Sequence, residues 1–192
     1  VCKDAPKHRD DDIIKGKIMM IGRIYSASIE RTKKSHNLPK GTEFFRDVVV
    51  PDIKESRIDH IIAEAQNTRR VNLDTAHVFI KAHYELTKLF SKISGKCNRS
   101  LASKYIHFHA PEKFFIFDRF AKIGINQFDF DLKTKINAAK KSLGKVSFDL
   151  DYLKHFVACL HFKDEIKRYH KKNLTPREID NLLMALGRGT AK

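Results

Sequence analysis

The sequence predicts an all-α protein. Three observations carry the prediction. Apolar residues recur at three- and four-residue steps through most of the chain, helix start and stop residues flank those stretches, and no segment sustains the period-two alternation of a half-buried strand. Val48-Val49-Val50 is the one β-branched triplet, and it stops at Pro51.

Asp10-Asp11-Asp12 put negative charge where a helix N-terminus favours it. Ile13, Ile14, Ile18, Ile21, Ile24, Tyr25 and Ile29 follow at helical spacing, so a first helix is expected to run through them. Asn37-Leu38-Pro39-Lys40-Gly41 reads as a turn. Thr42 is placed to cap a short helix ending before Pro51, and Ser56 to cap a second over Ile58, Ile61, Ile62 and Ala65. Asp74 precedes a long amphipathic stretch with Val78, Phe79, Ala82, Leu86, Leu89, Phe90 and Ile93. After the polar break Ser94-Gly95-Lys96-Cys97-Asn98, residues 100–108 bring Leu101, Ala102, Tyr105, Ile106 and Phe108 mostly to one face, and Pro111 ends that helix. Phe114 to Phe117 is a short apolar run, after which Asp118 stands as an N-cap. Helices are expected over 132–143 and 150–162. The last helix is the best marked, with Thr175 as cap, Pro176 at its first position, Glu178 closing a capping box and Gly187 as stop.

The chain has 192 residues, 42% of them hydrophobic, enough to bury a core without disulfides or metals in one compact unit. No internal repeat or Gly/Ser linker divides it. No run approaches the apolar length of a membrane span, and Val1-Cys2-Lys3-Asp4 do not open a signal peptide, so a cytoplasmic protein with no membrane association is expected. Cys2, Cys97 and Cys159 lie far apart, which argues against a disulfide framework, a cysteine-rich zinc site and a four-cysteine iron–sulfur cluster. Thirty-eight Lys and Arg against 23 Asp and Glu give a net charge of +15. A charge of that size points to a polyanionic partner, nucleic acid before an anionic membrane surface.

The most informative stretch is Arg99-Ser100-Leu101-Ala102-Ser103-Lys104-Tyr105, then Pro111, then Lys113-Phe114-Phe115-Ile116-Phe117-Asp118. It resembles the helix-hairpin-helix DNA glycosylase superfamily, in which a turn and a helix bearing Lys or Ser precede a short apolar run and an aspartate. The resemblance covers about thirty residues (95–124) closely. It implies a two-lobed helical fold, with residues 74–145 as the hairpin lobe and 1–73 plus 146–192 as the other. It places the family's aspartate at Asp118 and its lysine or serine at Ser100. The family's hairpin is usually Gly-hydrophobic-Gly, whereas here Lys96, Cys97 and Asn98 follow Gly95 and the second glycine is missing. Backbone clamping of a phosphate is therefore in doubt, and Lys96, Asn98 and Arg99 are the expected side-chain contacts instead.

Breaking a base–sugar bond develops positive charge on the sugar, which a fixed carboxylate stabilises; Asp118 is the candidate. The target base would have to leave the helix stack and enter a cleft between lobes. With serine rather than lysine at position 100, the usual amine for a Schiff base is missing, so no strand cleavage by that route is expected. Lys104, one turn further on, is expected to point elsewhere and to serve nucleic-acid contact. Lys133, Lys135, Lys140, Lys141 and Lys145 form one basic cluster, and Lys163, Lys167, Arg168, Lys171, Lys172 and Arg177 a second. Lys140 and Lys141 are the first choices for tracking phosphates. His107 and His109 are two apart, a spacing that parts their rings on a helix, so no metal site is expected and no cofactor is implied. Among Tyr84, Tyr105, Phe114, Phe115 and Phe117, a core role outweighs base stacking.

The expectation from sequence is a double-stranded-DNA-binding protein resembling a single-function DNA N-glycosylase, with RNA as the other candidate nucleic acid. The alternative is a non-catalytic nucleic-acid-binding or defence-accessory protein on a degenerate glycosylase scaffold.

Overall fold

The computed structural model describes residues 1–31 and 38–190. Asn37, the first residue of the expected turn, lies outside them. Among the described residues the chain forms helices and no strands: α1 (Asp11–Ile24), a π-helical turn (Phe45–Val49) running into α2 (Val50–Glu55), α3 (Ile58–Asn67), α4 (Ala76–Ser94), α5 (Arg99–His109), α6 (Arg119–Ile125), α7 (Lys133–Leu143), α8 (Leu150–His170) and α9 (Pro176–Gly189). The all-α expectation holds.

Five local expectations are corrected. Helix α1 stops at Ile24, and Ile29 lies in the following loop. A Schellman motif closes the helix, with Ala27 N–H donating to the Gly22 carbonyl (2.7 Å), Ser26 N–H to Arg23 (3.4 Å), and Ser26 in the left-handed region at φ 52. Proline does not end the second helical segment, because Pro51 sits in the first turn of α2 and the wide π turn before it relieves the ring's clash with the preceding carbonyls. Thr42 does not cap that segment. The Glu43 carboxylate accepts from Arg46 N–H (2.8 Å), and the Asp47 carboxylate in turn accepts from Glu43 N–H (2.8 Å). Asp74 does not cap α4 either; the N-cap position falls on Thr75, whose hydroxyl donates to the Arg70 carbonyl. Finally, α9 runs through Gly187.

The reason for Gly187 is close packing. A Cβ there would stand 2.0 Å from the Phe120 carbonyl oxygen, and one on Gly124 would stand 2.1 Å from that of Leu183. The two glycines let the backbones of α6 and α9 touch, which makes this the most heavily packed helix pair in the chain. Helix α4 is the centre of the rest, touching α2, α3, α5, α7 and α8 through a stripe that includes Phe79, Leu86, Phe90 and Ile93. Helix α8 is buried nearly all round from Tyr152 to Phe162 and continues, polar and largely exposed, to His170. That polar extension carries no apolar periodicity, which is why the sequence pattern marks only 150–162.

Candidate functional site

The run from Phe114 to Phe117 is extended yet has no strand partner. Phe114, Phe115 and Ile116 are buried, so their carbonyls need donors from elsewhere. Side chains supply them. His107 Nδ1 donates to the Phe114 carbonyl (2.7 Å), the Tyr152 hydroxyl to Phe115 (3.3 Å) and His155 Nε2 to Ile116 (2.9 Å). The Ser103 hydroxyl lies 3.3 Å from the Phe117 carbonyl and accepts from the Phe117 N–H at 3.0 Å. Burial lowers the pKa of both histidines, that of His155 to about 4, so each is a neutral donor near pH 7. The run is thereby clamped in place, and Asp118 follows it with no slack.

Asp118 opens α6 as its N-cap, accepting from Phe120 N–H (2.8 Å) and Ala121 N–H (3.1 Å). Its other oxygen, Oδ2, lies 3.6 Å from Lys104 Nζ. Lys104 is only 4% exposed. Its ammonium also donates to the Ser100 hydroxyl (2.9 Å) and to the Tyr25 carbonyl (3.0 Å) at the C-terminal, electronegative end of α1. Burial lowers the Lys104 pKa from its usual value, and Asp118 works against that shift.

Lys104 and Asp118 line a cleft of about 470 Å³ with Tyr25, Ser26, Arg177, Asp180 and Arg188 among its other walls, a size suited to a small-molecule-sized group. Arg177 lies 5.9 Å above the Tyr25 ring and donates to Asp180 Oδ2 at 2.9 Å. Burial pushes the Asp180 carboxyl up to about 6. The close crossing of α6 and α9 brings these two helices' carboxylates to one cleft.

The expectation that Lys104 points elsewhere is therefore overturned. Four residues advance a helix by slightly more than one turn, so Lys104 lies over Ser100 and its long side chain follows the same face to Asp118. Ser100 is a partner of the lysine ammonium. The three hairpin candidates are occupied within the chain. Arg99 is ion-paired with Asp149 and with Asp151 (3.3 Å), the Asn98 amide packs on the Ser94 hydroxyl and the Phe90 and Lys96 carbonyls, and Lys96 Nζ donates to the Arg31 carbonyl (3.1 Å). Lys140 lines a second groove, of about 690 Å³, with Lys122, Lys133 and Lys154. Lys141 is exposed outside it. Tyr105, Phe114 and Phe115 belong to the core.

Sequence reasoning assigned no place in this cleft to Tyr25, Ser26 or Asp180. A signal existed for Asp180, which stands with Pro176, Leu183 and Gly187 on the buried stripe of α9, where an acid is out of place. Among the described residues no group of three or more His, Cys, Asp or Glu side chains is placed to hold a metal ion, and no helix is long and apolar enough to cross a membrane. The chain matches no family model, no curated protein and no solved structure.

Proposed function

We propose that the Lys104–Asp118 cleft is the active site of a DNA N-glycosylase. The observation that carries this reading is the desolvated Lys104 ammonium 3.6 Å from the Asp118 carboxylate in a cleft of about 470 Å³. The resemblance of residues 95–124 and the net charge of +15 support it. Asp118 holds negative charge beside the sugar as the base–sugar bond breaks. Lys104, whose ammonium burial destabilises, passes a proton to the Asp118 carboxylate and is the nucleophile for the sugar carbon. This supplies the amine that Ser100 lacks, so strand cleavage through a Schiff base is now expected.

The test is affinity, across a salt series, for a duplex with a stable abasic-site analogue against the intact duplex, together with borohydride trapping on a natural abasic site. The expected result is about tenfold or greater preference for the abasic analogue and a trapped adduct that Lys104→Gln abolishes. Equal, salt-sensitive binding and no adduct would establish the second reading, a non-catalytic nucleic-acid-binding protein on a degenerate glycosylase scaffold. That reading is favoured by one observation: Lys96, Asn98 and Arg99 all have partners within the chain.

A further inference from the structure

We propose that Asp180 is the acid that protonates the departing base in this cleft, and that the base is therefore a purine. The proposal rests on the base-excision reading above. Two carboxyl groups line the cleft in opposite environments. Asp118 accepts two backbone N–H bonds and lies beside an ammonium, surroundings built for negative charge. Asp180 is 2% exposed; Arg177 holds its Oδ2, while Oδ1 is buried without a hydrogen-bond partner. An unpartnered buried anion is costly, and a proton on that oxygen removes the cost.

The groups facing Asp180 are Arg177 on its own helix, Asp118 at the start of α6, Lys104 on α5 and Cys159 on α8. Burial is the largest influence and Asp118 adds to it, while Arg177 and Lys104 oppose it; the outcome is a carboxyl near 6. Burial also raises the Cys159 thiol well above its usual range, so it adds no charge at neutral pH. Below about pH 6 the cleft therefore holds a protonated Asp180 facing Asp118, the division of labour that acid-assisted glycosidic cleavage requires.

The chemistry selects the base. A purine departs readily once a ring nitrogen other than the glycosidic one is protonated, whereas a pyrimidine departs as an anion steadied by donors to its carbonyl oxygens. In the proposed step the bond from C1′ to the purine nitrogen breaks and its electron pair moves to the purine. The Asp180 proton passes to a purine ring nitrogen. Asp180 is left as a carboxylate paired with Arg177, and the sugar cation faces Asp118 until the Lys104 ammonium passes one proton to the Asp118 carboxylate and the freed amine bonds to C1′.

The test is single-turnover excision from duplexes carrying one hypoxanthine, 8-oxoguanine or uracil, from below to above pH 6, for wild type, Asp180→Asn, Asp180→Glu and Asp118→Asn. Retained helical circular dichroism and a cooperative thermal transition serve as the folding control. The expected result is excision of a purine and not of uracil, with a wild-type rate that declines as pH rises through about 6. Asp180→Asn is expected to lower the rate about 10²-fold and flatten the profile, and Asp180→Glu to restore part of both. Purine excision that keeps its pH limb in Asp180→Asn but is lost in Asp118→Asn would overturn the Asp180 assignment and leave the base-excision reading standing. Preferential removal of uracil would overturn the purine assignment. No excision of any base and no trapped adduct would overturn both readings.

Discussion

The hairpin at 95–99 and the cleft at Lys104–Asp118 are neighbours in sequence and draw on the same residue types, yet they use charge in opposite ways. In the hairpin, Gly95 turns the chain in the left-handed region (φ 77) and the polar side chains fold back on it. Arg99 is taken up by Asp149 and Asp151, and the Asn98 amide by the turn itself. Asp149 meanwhile caps α8, accepting from Asp151 and Tyr152 N–H, so the hairpin arginine ties α5 to the start of α8. In the cleft, Lys104 and Asp118 also partner each other, but they do so against open volume, with Arg177 and Asp180 on the facing helix. The same motif therefore contains a half whose charges are spent within the chain and a half whose charges line a cleft. What separates them is where the partners leave space, rather than which residues are present.

The largest effect expected to break this contrast is on the α6–α9 crossing, which builds the cleft and leaves the hairpin alone. Gly187→Ala puts a Cβ 2.0 Å from the Phe120 carbonyl oxygen, and backbone cannot yield as a side-chain tip can. The expected loss is about 3 kcal/mol in urea unfolding, with faster amide exchange in α6 and α9 and unchanged exchange in the hairpin. Gly16→Ala in α1 is the control, because nothing lies within 4 Å of its Cβ. It is expected to gain about 0.5–1 kcal/mol from helix propensity. Equal effects at the two sites would show that the crossing is loose and the cleft not fixed by it.

A smaller effect of opposite sign is expected at Asp180. Its carboxyl is raised in the folded protein to about 6 and returns to the ordinary carboxylate range on unfolding. Between those values the folded state binds more protons than the unfolded one, so stability falls as pH rises and the cost is complete above about 6. Asp180→Asn removes the titration. The variant is expected to gain about 1–3 kcal/mol over wild type near pH 7, after allowance for the weakened Arg177 contact. The gain should vanish below pH 4, where both forms are neutral. A pH-independent difference would mean that Asp180 stays ionised in the folded chain, and the two cleft carboxylates would then be alike.

Much of the fold was legible because local chemistry wrote it. The Thr175–Glu178 capping box, the Asp118 N-cap and the break at Gly95 all stand where the residues place them. The failures share a physical cause, which is that tertiary contacts reassigned residues with two uses. Gly187 reads as a stop, but contact with Phe120 makes it an interior glycine. Pro51 reads as a terminator, but a π turn before it makes it an entry. His107 enters the sequence pattern only through its spacing to His109 and His155 through no motif, yet both are donors that hold the Phe114–Phe117 run without a strand partner. Asp118 could be found from its own neighbourhood. Lys104 needed the helix geometry to be followed through, and Tyr25 and Asp180 come from the two ends of the chain, so no local motif joins them.

The smallest effect sharpens the contrast at the level of nucleic-acid contact. Arg99→Ala leaves the buried Asp149 carboxylate short of a partner, although Asp149 keeps its two N–H donors and Arg99 is 40% exposed. Solvent screening limits the loss to about 1 kcal/mol. Because that arginine is occupied within the chain, its removal should not change the slope of DNA affinity against salt. Lys140 and Lys141 are the reverse case. Neither has a carboxylate within ion-pair distance among the described residues, Lys140 lines the lysine-bearing groove, and Lys141 is exposed. Lys140→Gln with Lys141→Gln is expected to leave thermal stability unchanged, to weaken binding about equally across sequences, and to reduce the slope of log affinity against log salt by about 0.9 for each phosphate no longer neutralised. If Arg99→Ala flattens the slope and the lysine pair does not, the hairpin is the phosphate-binding element after all, its ion pairs open on binding, and the division between spent and cleft-lining charges must be redrawn around the bound state.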